Sequence, residues 1–133
     1  MIIKQQKITI IRLSKPSKNI NEELQWLGNS LDLFNIRDKD RSCFRIFIEL
    51  LKATKARNPV ASEDIAKNLG LSRGTVMYHI NKLIEAGIVI PLKNRYLLRG
   101  GTLYELIDEI EKDAIRAFAD LKTIAAEIDN QMK

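Results

Sequence analysis

Along the chain, apolar residues recur at helical spacing in five stretches and change to a shorter period in two others. The clearest helical line lies in "LSRGTVMYHINKLIEAGIV", residues 71–89, where Val76, Ile80 and Leu83 fall at i, i+4 and i+7. Ser72 stands at its N-cap position and Gly87 follows its last turn, so the pattern predicts a helix over 72–86. Just upstream, "SEDIAKNLG" turns Ile65, Ala66 and Leu69 inward. Ser62 is its expected cap, Glu63 and Asp64 suit the positive end of its dipole, and Gly70 is its expected left-handed stop. Two helices joined by so short a turn cross steeply, which is the geometry of a helix-turn-helix unit.

Beyond Gly87 the period shortens. "IVIPL" and "RYLLR" flank Lys93 and Asn94, predicting a β-hairpin over 88–99 with those two residues at its tip. Pro91 cannot donate to a ladder, so its strand belongs at an edge. Upstream, "NINEELQWLGNSLDLF" predicts a helix capped by Asn19, with Glu22 three residues on and Ile20, Leu24, Leu27 and Leu31 along one face, widened by Trp26 and Phe34. "RDKDRSCFRIFIELLKATKAR" predicts another, with Phe44, Phe47, Ile48 and Leu51 as its apolar line, ending before Pro59. "KITIIRL", residues 7–13, is β-branched and roughly alternating and reads as a short strand, paired either within the fold or with a partner chain.

After Gly100 and Gly101, Thr102 and Glu105 form a capping box that opens a last helix. Steps of four and three from Leu103 reach Ile107, Ile110, Ala114, Ala117, Leu121, Ile124 and Ile128 without meeting a polar residue. Leu106, Phe118 and Ala125 broaden that seam, and the two alanines permit close approach. A helix roughly 45 Å long at 1.5 Å per residue is more than a domain of this size covers alone, so a homodimer seam shared with the Trp26 helix is expected. The division is then 1–36, a strand and helix of the dimer region; 37–100, the helix-turn-helix and wing; and 101–133, the dimerisation helix.

Charge sharpens the picture. Residues 1–100 carry 18 Lys and Arg against 9 Asp and Glu, whereas residues 101–133 carry 4 against 8. A basic body that meets a polyanion and an acidic tail held away from it fit that split. No apolar run reaches the roughly 18 residues of a membrane span, and the first residues lack a secretory h-region, so the cytoplasm is the expected compartment. One cysteine, Cys43, and one histidine, His79, supply neither a disulfide nor a metal-ligand cluster, and Cys43 in "SCFRIFIELL" reads as a buried small hydrophobe. No constellation for catalysis can be assembled, and neither cofactor nor metal is expected.

The face of the 72–86 helix opposite its apolar line then acquires a use. A major groove admits one helix, and base edges there are read by side chains offering paired donors or a donor with an acceptor. Arg73 can fork onto guanine, Asn81 can pair with adenine, and Gly74 lets backbone approach DNA. Ser72, Thr75, Tyr78 and Lys82 suit phosphate or base contacts. In the hairpin Lys93, Asn94 and Arg95, with Arg99 at the base, form a cationic tip for the backbone or minor groove; Lys39, Arg41 and Arg45 are further candidates for phosphate.

Helix, helix, reading helix and hairpin is the order of a winged helix. "SEDIAKNLGLSRGTVMYHINKLIEAGIVI" resembles the winged-helix transcriptional regulators of the ArsR-like and MarR-like type, small archaeal ones in particular, over about residues 43–99. The segment from Leu24 to Leu51 also looks like the amino-terminal part of such archaeal regulators, less specifically. The resemblance implies a dimer that binds operator DNA and represses or activates nearby genes. The chain departs from the metal-sensing members, whose Cys-x-Cys or His/Asp/Glu ligand sets it lacks. The expectation is a mainly helical winged helix-turn-helix protein with a small β-hairpin, acting as a homodimeric, sequence-specific regulator on a pseudo-palindromic double-stranded site. The alternative is a winged-helix adaptor that binds protein without reading DNA. A small-molecule effector between the Trp26 helix and the final helix would modify the regulator reading without replacing it.

Overall fold

In the computed structural model, residues 5–34 and 41–133 are described. The elements are α1 (Ile20–Ser30), α2 (Ser42–Ala56), β1 (Val60–Ala61), α3 (Ser62–Leu69), α4 (Arg73–Glu85), β2 (Val89–Leu92), β3 (Arg95–Leu98) and α5 (Leu103–Gln131). Around a core of Ile46, Phe47, Leu50, Ile65, Val76, Ile80, Leu83 and Leu106, helices α2, α3 and α4 pack on a three-stranded antiparallel sheet of order β1-β3-β2. This is a mainly helical winged helix-turn-helix fold, as the apolar pattern predicts.

Local signals account for most element ends. Asn19 Oδ1 accepts from the N–H groups of Asn21 and Glu22 and starts α1. Thr102 Oγ1 does the same for α5 through the Glu105 N–H at 3.1 Å. Lys93 (φ 51°) and Asn94 (φ 66°) both take positive φ at the hairpin tip, the mirror-image turn whose twist matches that of its strands. Pro91 lies on β2, an edge strand paired only with β3.

Four expectations are corrected. The α2 line that reaches the core is Cys43, Ile46, Phe47, Leu50 and Thr54; Phe44, Ile48 and Leu51 are half-buried. The helix is covered on two sides: the first line meets α4 and β3, while Phe44 stacks on Phe34 after α1 with ring centroids 4.8 Å apart. Residues 37–40 of the predicted helix lie outside the described residues. Ser62 is not the cap of α3, because Ala61 is still extended and paired with Arg95, so the switch to helix falls there and Ser62 lies buried in the first turn. Residues 7–13 form no strand; the Lys7 and Ile11 N–H groups donate instead to Glu85 O (3.1 Å) and Ser30 O (2.7 Å), the open carbonyls at the ends of α4 and α1. Finally, Leu103, Leu106 and Ile110 belong to or pack on the chain's own core, with Leu106 fully buried, because the first turns of α5 roof the domain. Residues from Ile115 onward stand exposed.

Thr54 joins the two layers. Its buried Oγ1 donates to Leu50 O (2.7 Å) and accepts from the Leu98 N–H of β3 (2.9 Å). Thr54→Val keeps the volume but leaves that strand N–H unpaired, and a destabilisation of roughly 1–3 kcal/mol is expected in urea denaturation. An unchanged midpoint would show that the Leu98 N–H is not stabilised by this hydroxyl.

Candidate nucleic-acid interface

The helix-turn-helix unit is assembled from short-range chemistry. Gly70 at φ 67° ends α3, and the Leu71 N–H turns back to Ala66 O at 2.9 Å. Ser72 Oγ then accepts from the Thr75 N–H (3.1 Å) and starts α4, its hydroxyl also bonded to Thr75 Oγ1 at 2.9 Å. Arg45 of α2 donates to Leu69 O and holds the turn from behind. One nitrogen of its guanidinium is thereby taken by the fold, and the side chain is half-buried.

With Val76, Ile80 and Leu83 buried, α4 leaves Arg73, Gly74, Tyr78, Asn81 and Lys82 exposed and Thr75 half-exposed. Gly74, Thr75, Tyr78, Asn81 and Lys82 share one outward arc, whereas Arg73, seven residues before Ile80 and so on the apolar line, is exposed at the first turn beside α3. Arg73 Nη2 pairs with Glu63 Oε1 of α3 at 3.0 Å, both side chains more than half exposed. Such a surface pair is worth about 0–1 kcal/mol, so it orients the guanidinium without holding it from another acceptor. Lys82 Nζ lies over the Tyr78 ring, 5.0 Å from its centroid, and the nearness of Tyr78 raises the pKa of the ammonium from its ordinary value. The His79 ring packs edge-on against Tyr78 at 5.2 Å, so Tyr78 is braced on both sides.

Tyr78 and Lys82 also border a cleft of about 530 Å³ between α4, the end of α1 and the N-terminal segment, which Lys7, Asp32 and His79 help to line. Glu85 extends the exposed arc of α4 with an acid that the sequence reading passed over. Its position, seven residues beyond Tyr78, was the available signal. Its charge disfavours phosphate at the C-terminal end of α4, leaving the Arg73 end as the favoured approach.

At the wing, Lys93 and Asn94 are exposed at the tip. Arg95 is exposed but its Nη1 donates to Pro59 O at 3.3 Å, across the sheet to the loop before β1. Arg99 is not part of the cationic tip: it is paired with Asp113 and Glu109 of α5, which turns it inward. Tyr96 OH reaches Met77 Sδ at 3.8 Å and ties β3 to α4. Arg41 is exposed with φ 54° at the entry to α2, and Lys39 lies outside the described residues.

The residues expected at a partner seam divide by position. Trp26 is half-buried on α1, its Nε1 buried with no hydrogen-bond partner among the described residues. Ile107 and Ala114 are half-buried, Ala117 is exposed, and Phe118, Leu121, Ile124 and Ile128 are 50–63% exposed. Among the described residues, no helix is long and apolar enough to cross a membrane.

A search of curated proteins and a search of solved structures each returned no match. Residues 40–90 match the family model of a helix-turn-helix domain, from before α2 into β2. The match covers α2, β1, the two-helix unit and the first residues of β2, and the rest of the hairpin completes the wing beyond it. The chain thus carries a winged helix-turn-helix domain.

Proposed function

We propose that the protein is a sequence-specific, double-stranded DNA-binding transcriptional regulator of the ArsR-like or MarR-like type that acts as a homodimer. The observation that carries the reading is the two-sided character of α4. One face is locked into the core, while Gly74, Tyr78, Asn81 and Lys82 project from the opposite arc and Arg73 stands exposed at the Ser72-capped start, beside a wing tipped by Lys93 and Asn94. In this reading α4 enters the major groove, Arg73 reads a base, Asn81 and Tyr78 contact bases or phosphate, and the wing neutralises backbone charge. The exposed apolar line of α5 supports a two-fold partner, which sets two reading helices about 34–36 Å apart on a pseudo-palindromic site.

The test is selection of bound duplexes from a random pool at physiological salt, with wild type, Arg73→Ala and Lys93→Ala in parallel. A two-fold motif is expected from wild type. Arg73→Ala should lose discrimination at particular base pairs by roughly 1–3 kcal/mol, whereas Lys93→Ala should weaken all sequences alike and lower the salt slope by about 1. Equal losses on every sequence for both variants would sink this division of roles. The exposed Ile90 and Leu92 of the wing favour a second reading, a protein-binding adaptor, and recovery of no motif would select it.

A further inference from the structure

The elements proposed to read DNA and the helix proposed to hold the partner meet at a polar joint. Asp113, buried on α5, accepts two hydrogen bonds from Arg99 at the base of the wing, Nη1 to Oδ2 at 2.5 Å and Nη2 to Oδ1 at 3.1 Å. It also accepts from Gln6 Nε2 at 2.8 Å and from Arg116 one turn along. Arg99 in turn donates to Gly87 O at 3.3 Å, just past the end of α4, and pairs through Nε with Glu109 at 3.3 Å. Gln6 Nε2 reaches Ala86 O at 3.3 Å. A single intervening side chain therefore links the Asp113 carboxylate to the wing and to the exit of the reading helix.

Position makes this joint more than an attachment. Asp113 is the last buried residue of α5; from Ile115 the helix stands clear of the domain. Leu106 and Ile110 hold α5 by apolar contact, which is non-directional, whereas a two-pronged guanidinium–carboxylate pair fixes an angle as well as a distance. The free part of α5 is a lever: at 1.5 Å per residue it runs about 27 Å, so a tilt of about 10° at Asp113 moves its far end by about 5 Å. One base-pair step is about 3.4 Å.

Resting on the regulator reading, we propose that the Asp113–Arg99 joint sets the angle at which α5 leaves the domain, and thereby which separation of two half-sites the dimer accepts. Asp113 is a positioning residue in this scheme. It touches no DNA, and the identity of each half-site is read elsewhere, by α4.

The experiment uses full-length wild type, Asp113→Asn and Arg99→Lys. Binding is measured on duplexes carrying two copies of the selected half-site with their spacing changed one base pair at a time, and on a duplex carrying one copy. Wild type should favour one spacing over its neighbours by about tenfold. Both variants should bind all spacings within about threefold of one another, with single-copy affinity and sedimentation as a dimer retained. Arg99→Lys keeps the charge but loses the fork, so it decides the matter should circular dichroism show Asp113→Asn unfolded. Spacing profiles as sharp as wild type, or a uniform loss that includes the single-copy duplex, would overturn the role of the joint. A wild type with no spacing preference would overturn the dimeric-regulator reading and this inference with it.

Discussion

Leu121→Asp is expected to leave the winged domain folded and to convert the proposed dimer into monomers. Leu121 is 63% exposed and lies two turns beyond Asp113, so its replacement removes nothing from the chain's own core. Across a two-fold seam, each copy would lose the burial of a leucine, roughly 1.5–3 kcal/mol, and gain a carboxylate facing its symmetry mate. The combined loss is on the order of 6 kcal/mol, or about four decades in dimer dissociation constant. Sedimentation velocity over a range of concentrations measures it directly. A protruding helix without a partner is marginal in water, so helical ellipticity should fall along with the dimer. Retention of an unchanged dimer would place the seam on other residues.

The second large effect concerns stability and acid. Arg99 holds the Asp113 carboxyl down at about 2, chiefly by hydrogen bonding, with Gln6 and Arg116 adding to the effect and partial burial opposing it. A carboxylate that binds protons less readily in the folded state contributes stability above its unfolded pKa, near 3.8, and that contribution is lost as pH falls toward 2. Asp113→Asn should therefore cost about 2–3 kcal/mol at neutral pH, because half-buried Arg99 loses its closest carboxylate and keeps only the half-exposed Glu109 and the Gly87 carbonyl. The variant should also show a flatter fall in urea midpoint between about pH 4 and pH 2. Identical pH profiles for wild type and variant would mean that other carboxylates govern acid unfolding.

The helix-turn-helix could be read from the chain because each of its parts is fixed by neighbours in sequence. The Ser72 cap, the left-handed Gly70 and the spacing of Val76, Ile80 and Leu83 all act within two turns, as do the Thr102 cap and the Lys93–Asn94 tip. Other features have no such local cause. Strand β1 is two residues long, too short for any period to register, and exists because Val60 and Ala61 find Tyr96 and Arg95. Residues 7–13 have the composition of a strand, but open carbonyls on α4 and α1 take the Lys7 and Ile11 N–H groups.

The cations show most plainly where local reading stops. Arg45, Arg73, Lys93, Arg95 and Arg99 are equivalent by composition, yet Arg45 serves Leu69 O, Arg95 reaches Pro59 O, Arg99 serves Asp113, and Arg73 rests on Glu63 at the surface. Sequence by itself determined the helices and their order, the exposed residues of α4, the hairpin and the long apolar line of the last helix, because caps, turn residues and periodicity act over a few residues. Only the tertiary structure decided which apolar residues of α5 stay with their own domain, and which arginines are taken by the fold before any partner arrives. A long charged side chain goes to whichever acceptor the folded backbone brings within its reach, and that proximity is set by packing across the whole domain.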